Sequence, residues 1–205
     1  MAILSCLILA AGHMNDELRS LYEADRQERI NQPKGNTAEY KSMRARDLVR
    51  CELVIKIIEA DELHTAEDYY RAAQILNHGD TADDARNAHR LALRASELGY
   101  RPARWLAAAS DDRWQMYQGK PQKYGTNYVF DGRKDRLWDV VPNTTDEERG
   151  NWDVPPLAEQ LRKAEEANRY KSPMSENELR EFEANAPKWL KQALKKWRAA
   201  ENQIE

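Results

Sequence analysis

The chain has 205 residues, enough to bury one core and carry an appendage, and 41% of them are hydrophobic against 33% charged, the profile of a folded helical protein rather than a disordered one. Its 32 basic and 35 acidic residues leave a formal net charge of -3, which gives no basis for a nucleic-acid partner or an acidic membrane surface. Two cysteines far apart, Cys6 in an apolar leader and Cys51 in a helical stretch, exclude a disulfide framework and a cysteine-based zinc site.

The opening MAILSCLILAAG is apolar but too short for a membrane-spanning helix. It reads either as the core of a signal peptide, with Ala10-Ala11-Gly12 at a cleavage point, or as an extension ahead of a true start at Met14. The absence of Lys or Arg before the apolar run weighs towards the second, and so towards a cytoplasmic rather than an exported protein. Residues 1–13 are therefore set apart from a helical core domain over 14–153.

Asn15 and Asp16 are placed to cap a first helix reaching about Ile30, with Leu18, Leu21 and Tyr22 on one side. Asp25 lies one turn beyond that apolar side. It suits a surface ion pair with Arg26 or Arg29, or a carboxylate facing a central site. After the Gln32–Asn36 turn, Thr37 opens a long helix to about Ala60, crossed midway by Arg44, Arg46, Asp47 and Arg50; Arg46 or Arg50 would clamp an anion if the site holds one. Thr65 caps a third helix, and Gly79 after His78 reads as its natural C-cap. Gly79-Asp80-Thr81 at once begins a fourth helix. His78 is thereby held at a tight corner.

The fourth helix carries Ala85, Ala88, Ala92 and Ala95 at steps of three and four, small enough for a neighbour to approach closely, and stops at Gly99. His89 and His78, with Asp83 and Asp84 between them, match neither the helical His-x-x-x-His pair nor a zinc-finger spacing, so no metal is expected. A fifth helix starts at Pro102 and stops at Gly119. Arg113 interrupts its apolar side and must be paired if buried. Asp112 is adjacent and points about 100° away, so Asp25 or Asp47 is the expected partner.

Beyond Gly119 the aromatic and β-branched content around Asp131-Gly132 predicts a small hairpin near 122–141. Gly125 permits a bulge or a close backbone approach to a ligand, with Gln122, Tyr124 and Thr126 as donors and acceptors beside it. Residues 154–205 read as a C-terminal helical extension, its last helix basic and amphipathic, docking back through Trp189 and Trp197 or meeting a partner. The fold class is mainly α: about five core helices, one small hairpin and the extension.

His78-Gly79, then Asp112-Arg113, then Gln122-Lys123-Tyr124-Gly125-Thr126 resembles an uncharacterised bacterial family of helical proteins with a Gln-His, an Asp-Arg and a Gln-x-Tyr-Gly-Thr-Gln. The similarity covers about residues 15–150. Asn77 stands in place of the Gln before His, Arg26 in place of a Gln after the early Asp25, and Asn127 in place of the final Gln. The resemblance implies that His78, Asp112, Arg113, Gln122, Tyr124, Gly125 and Thr126 belong together, and it brings no reaction with it. Ala92 to Leu106 also resembles half of a tetratricopeptide or Sel1-type repeat, in a single copy.

Two functions follow. In one, the His-Asp-Arg-Gln-Tyr network is the frame of a binding, interaction or structural module that takes a small polar ligand or a protein partner. In the other, it is an acid–base active site, hydrolase or lyase, with His78, Asp112 and Arg113 catalytic and Asp25, Gln122, Tyr124, Gly125 and Thr126 holding a small anionic or polar substrate. No dinucleotide or phosphate-loop glycine pattern and no Gly-x-Ser-x-Gly occurs, so no cofactor or covalent intermediate is expected.

Overall fold

A computed structural model describes residues 14–33, 35, 37–169 and 171–201. The apolar leader over 1–13 lies outside the described residues. The described residues are mainly helical. In order they form α1 (Asp16–Ile30), α2 (Ala38–Glu59), α3 (Ala66–Leu76), α4 (Ala82–Glu97), α5 (Ala103–Tyr117), β1 (Tyr128–Phe130), β2 (Asp135–Leu137), α6 (Asp146–Gly150), α7 (Leu157–Asn168), α8 (Glu176–Asn185) and α9 (Lys188–Glu201). Six of these helices start at a side-chain cap. Asn15 and Thr37 accept from the backbone N–H three residues on, and Thr65, Thr81, Thr145 and Ser175 do so within reciprocal capping boxes with Asp68, Asp84, Glu148 and Glu178.

The first four helices share a core of Leu18, Val54, Ile57, Ala72, Ile75, Leu76 and Ala88. A second cluster joins α3, α4 and α5 through Ala73, Ala92, Leu106 and Ala107. The alanine stripe of α4 is fully buried, and it is what lets α3 and α5 press against α4 from both sides.

The hairpin is shorter than the sequence predicts. Only Tyr128–Phe130 and Asp135–Leu137 pair, antiparallel, with Tyr128 opposite Leu137, while Gln122 meets Val140 in an isolated parallel bridge. Residues 123–127 are drawn instead into contacts with α5. The turn closes on Asp131, whose carboxylate accepts from Arg133 N at 2.7 Å and Lys134 N at 2.8 Å.

The C-terminal helices do more than lie along the body. Trp138 of the hairpin segment is sandwiched edge-on by Trp189 and Trp197, at 5.5 and 5.4 Å between ring centroids, over Met116, Leu190 and Leu194. The basic residues of α9 are partly engaged as well: Lys196 pairs with Asp139 at 2.5 Å, and Arg198 donates to the Asp131 carbonyl at 2.6 Å. No helix among the described residues is long and apolar enough to cross a membrane.

Candidate functional site

The residues grouped by sequence fall into two structures, one built on Asp112 and one on His78. The first is a loop built around Asp112. Its Oδ1 accepts from Lys123 N at 2.7 Å and Tyr124 N at 2.9 Å, and its Oδ2 from Thr126 N at 3.0 Å and the Thr126 hydroxyl at 2.8 Å. With four donors, a fully buried carboxylate is satisfied. Burial pushes its pKa up, against the opposing pull of the three N–H groups and the hydroxyl.

Gln122 completes the loop. Its amide nitrogen donates to the carbonyls of Asn127 and Trp138, at 3.1 and 2.9 Å, and its oxygen accepts from Asn127 N at 2.9 Å. Asn127 in turn donates to Ala109 O at 3.0 Å. Tyr124 is buried against Ala108, Val154 and Trp152. Gly125 sits at φ +86°, the left-handed region that other L-residues rarely adopt, so a side chain here would strain the turn. A residue not singled out by its sequence context holds the loop from outside: buried Arg149 donates to Tyr124 O at 3.0 Å and Thr144 O at 2.8 Å.

The second structure is the corner between α3 and α4. His78 Nδ1 lies 2.9 Å from Asp25 Oδ2, so the buried carboxylate fixes the imidazole with Nδ1–H as donor and Nε2 facing away. Asp25 also has Arg29 at 3.6 Å and Arg50 at 3.7 Å. Behind it, buried Asp47 binds Arg29 at 2.8 Å, Arg44 at 2.5 Å and Arg50 at 2.6 Å. Glu28 takes Arg46 at 2.5 Å and the far side of Arg50 at 2.6 Å, and Arg44 continues to Asp80. Although burial pushes Asp47 up, the Arg29 and Arg50 guanidiniums hold its carboxyl below the ordinary range; Glu28 is held low in the same way by Arg50 and Arg46. Arg46 and Arg50 are therefore occupied by these carboxylates.

The C-cap is Asn77, and Gly79 is not the cap that its place after His78 predicts. It is absent from the positive-φ glycines, and α3 ends through His78 N donating to Ile75 O at 3.0 Å and Gly79 N to Leu76 O at 2.9 Å. The glycine is required by space: a Cβ there would fall 2.5 Å from the Asp84 side chain that caps α4. Gly79→Ala is expected to cost about 1–3 kcal/mol by overpacking, read as a lowered thermal midpoint; an unchanged midpoint would show that Asp84 can move aside freely.

Arg113 departs furthest from expectation. Its pairing with Asp25 or Asp47 does not form, because Arg29, Arg44, Arg50 and His78 already take those carboxylates. Among the described residues it has no ion pair or hydrogen bond, and its Nε is buried without a partner. Asn77, beside His78, is 5% exposed and its Oδ1 is likewise buried and unpartnered.

The remaining polar candidates are accounted for locally. His89 Nδ1 bonds Ala107 O at 2.8 Å. Buried Cys51 has its thiol pKa pushed up to about 12 by desolvation, which makes it a poor nucleophile. Among the described residues no group of three or more His, Cys, Asp or Glu is arranged to hold a metal. A cleft of about 600 Å³ opens elsewhere, between Lys41 of α2 and Phe182, Ala186 and Leu190 at α8 and α9. Compared with protein-family models, curated proteins and solved structures, the chain finds no match.

Proposed function

We propose that the protein is a helical binding module for a ligand carrying an anionic group, with Arg113 as the binding residue and the Asp112 loop as its rigid support. The observation that carries this reading is the guanidinium of Arg113, half-buried in α5, whose Nε is buried without a partner, while the buried Arg50 of α2 is matched to Glu28 and Asp47. A half-buried cation without a counter-ion is costly to keep, and an arriving anion offsets that cost. Asp112, Gln122, Tyr124, Gly125 and Thr126 are spent on internal contacts, which suits a scaffold better than chemistry. The resemblance to the bacterial helical family would then reflect this shared support.

The reading is tested by titrating the chain with acetate, sulfate and phosphate at constant ionic strength while following the Arg113 Nε–H resonance by NMR. A saturable shift is expected, and Arg113→Gln should weaken binding about 10- to 100-fold, the worth of a charge-assisted hydrogen bond. A resonance that follows none of the anions would end this reading.

The acid–base reading rests on one specific observation, the Asp25–His78 pair, since a carboxylate that fixes Nδ1–H leaves Nε2 as a base. Histidine resonances recorded in the same titration, on wild type and His78→Ala, separate the two. If the resonance lost in the variant moves with the anion, His78 shares the Arg113 site and acid–base chemistry becomes the better account.

A further inference from the structure

One side of α2 is used by the fold: Met43, Asp47, Arg50, Cys51, Val54 and Ile57 are buried, and α1 and α3 pack on the helix. A second stripe runs beside that side. Ala38, Lys41, Ala45, Leu48, Glu52 and Ile55 recur at alternating steps of three and four, the spacing at which one helix presents a seam to another. The first five are exposed and Ile55 is half-buried. Leu48 is 42% exposed and Val49 beside it 55%, so the longest of the described helices leaves two large apolar side chains in solvent. Lys41 and Glu52 have no ion pair among the described residues.

The two halves of the stripe differ in shape. Along the C-terminal half opens a groove of about 460 Å³, between Leu48, Cys51, Ile55 and Glu59 of α2 and Asp84 of α4. The N-terminal half offers Ala38, Lys41 and Ala45, whose two alanines make a low ridge. A second α2 laid antiparallel, across a two-fold axis between Ala45 and Leu48, sets ridge into groove twice. Its layers pair Ala38 with the partner's Ile55, Lys41 with the partner's Glu52 and Ala45 with the partner's Leu48. Every layer sets small against large or cation against anion. Sliding the partner by one heptad destroys the match: Leu48 meets the partner's Glu52 in one direction, and Lys41 meets the partner's Ala45 in the other. Parallel pairing in register stacks Lys41 on Lys41 and Glu52 on Glu52, which like charges disfavour.

We propose that this face of α2 takes a second copy of the chain, in an antiparallel two-fold dimer held by residues 38–55 of each. Arg113, on α5, takes no part in it. One helix pair covers less than the about 1,200 Å² of a stable interface, so the dimer is weak and forms at high protein concentration.

Sedimentation velocity on the full chain, over a wide concentration series, tests this. The weight-average mass is expected to rise reversibly toward twice that of the chain. Leu48→Glu, at an exposed position, should hold the chain monomeric with its circular dichroism unchanged. Lys41→Glu and Glu52→Lys should each weaken the dimer about tenfold, because two exposed pairs per dimer become repulsive. An equimolar mixture of these two variants restores both pairs across the axis and should recover wild-type association. A wild-type chain that stays monomeric throughout overturns the proposal and leaves the face to a different protein. A dimer that survives Leu48→Glu is built elsewhere and overturns it equally. Weakening by the charge variants without recovery in their mixture overturns the antiparallel pairing.

Discussion

Asp112→Ala is expected to destabilise the protein by about 3–5 kcal/mol, among the largest losses a single substitution here can produce. The substitution removes the acceptor for the N–H groups of Lys123, Tyr124 and Thr126 and for the Thr126 hydroxyl together. Buried donors left unsatisfied cost about 1–3 kcal/mol each, and the four share one loop, so their losses overlap rather than add. Asp112→Asn should fall between wild type and Ala, since Oδ1 can still serve two amides while the new NH2 opposes Thr126 N–H. Urea unfolding followed by far-ultraviolet circular dichroism measures both. A loss under about 1 kcal/mol for Asp112→Ala would mean that Arg149 and Gln122 hold the loop without it.

Asp47→Ala should be comparably damaging. Asp47 is fully buried and is the common partner of Arg29, Arg44 and Arg50. Removing one member of a buried ionic cluster leaves uncompensated charge, at a cost of about 3–5 kcal/mol. The same cluster sets a dependence on pH. The folded protein holds Asp47 and Glu28 below their ordinary values, so the unfolded chain binds more protons in acid. Their stabilisation is complete above the ordinary carboxylate range of about 4 and is lost as pH falls through the lower folded values. Thermal midpoints recorded from neutral pH downward should therefore drop steeply below pH of about 4 in the wild type, and less steeply in Asp47→Asn. Parallel slopes for the two proteins would remove Asp47 from the account of acid unfolding.

The helices were legible in the chain because their causes are local. Thr65 with Asp68, Thr81 with Asp84, Thr145 with Glu148 and Ser175 with Glu178 complete their caps within three residues. The alanines of α4 announce a close helix contact by their size and spacing. The site was legible only in part. That Asp112 and the Gln122–Thr126 segment act together followed from resemblance, but nothing local says whether a carboxylate faces a ligand or the backbone of its own loop.

By itself, then, the sequence determined where helices start and stop, that they are small-faced enough to pack tightly, and that a small hairpin and a docked tail follow them. Tertiary structure alone decided which charges meet. With 32 basic and 35 acidic residues, composition permits many pairings, and the rotation and register of packed helices choose among them. That choice brings His78 to Asp25, 53 residues earlier in the chain, gathers three arginines on Asp47, and leaves Arg113 without a counter-ion among the described residues. Gly79 shows the same division. The sequence places a glycine at a helix end, but only packing against Asp84 reveals that its missing side chain, and not its backbone freedom, is what the fold requires.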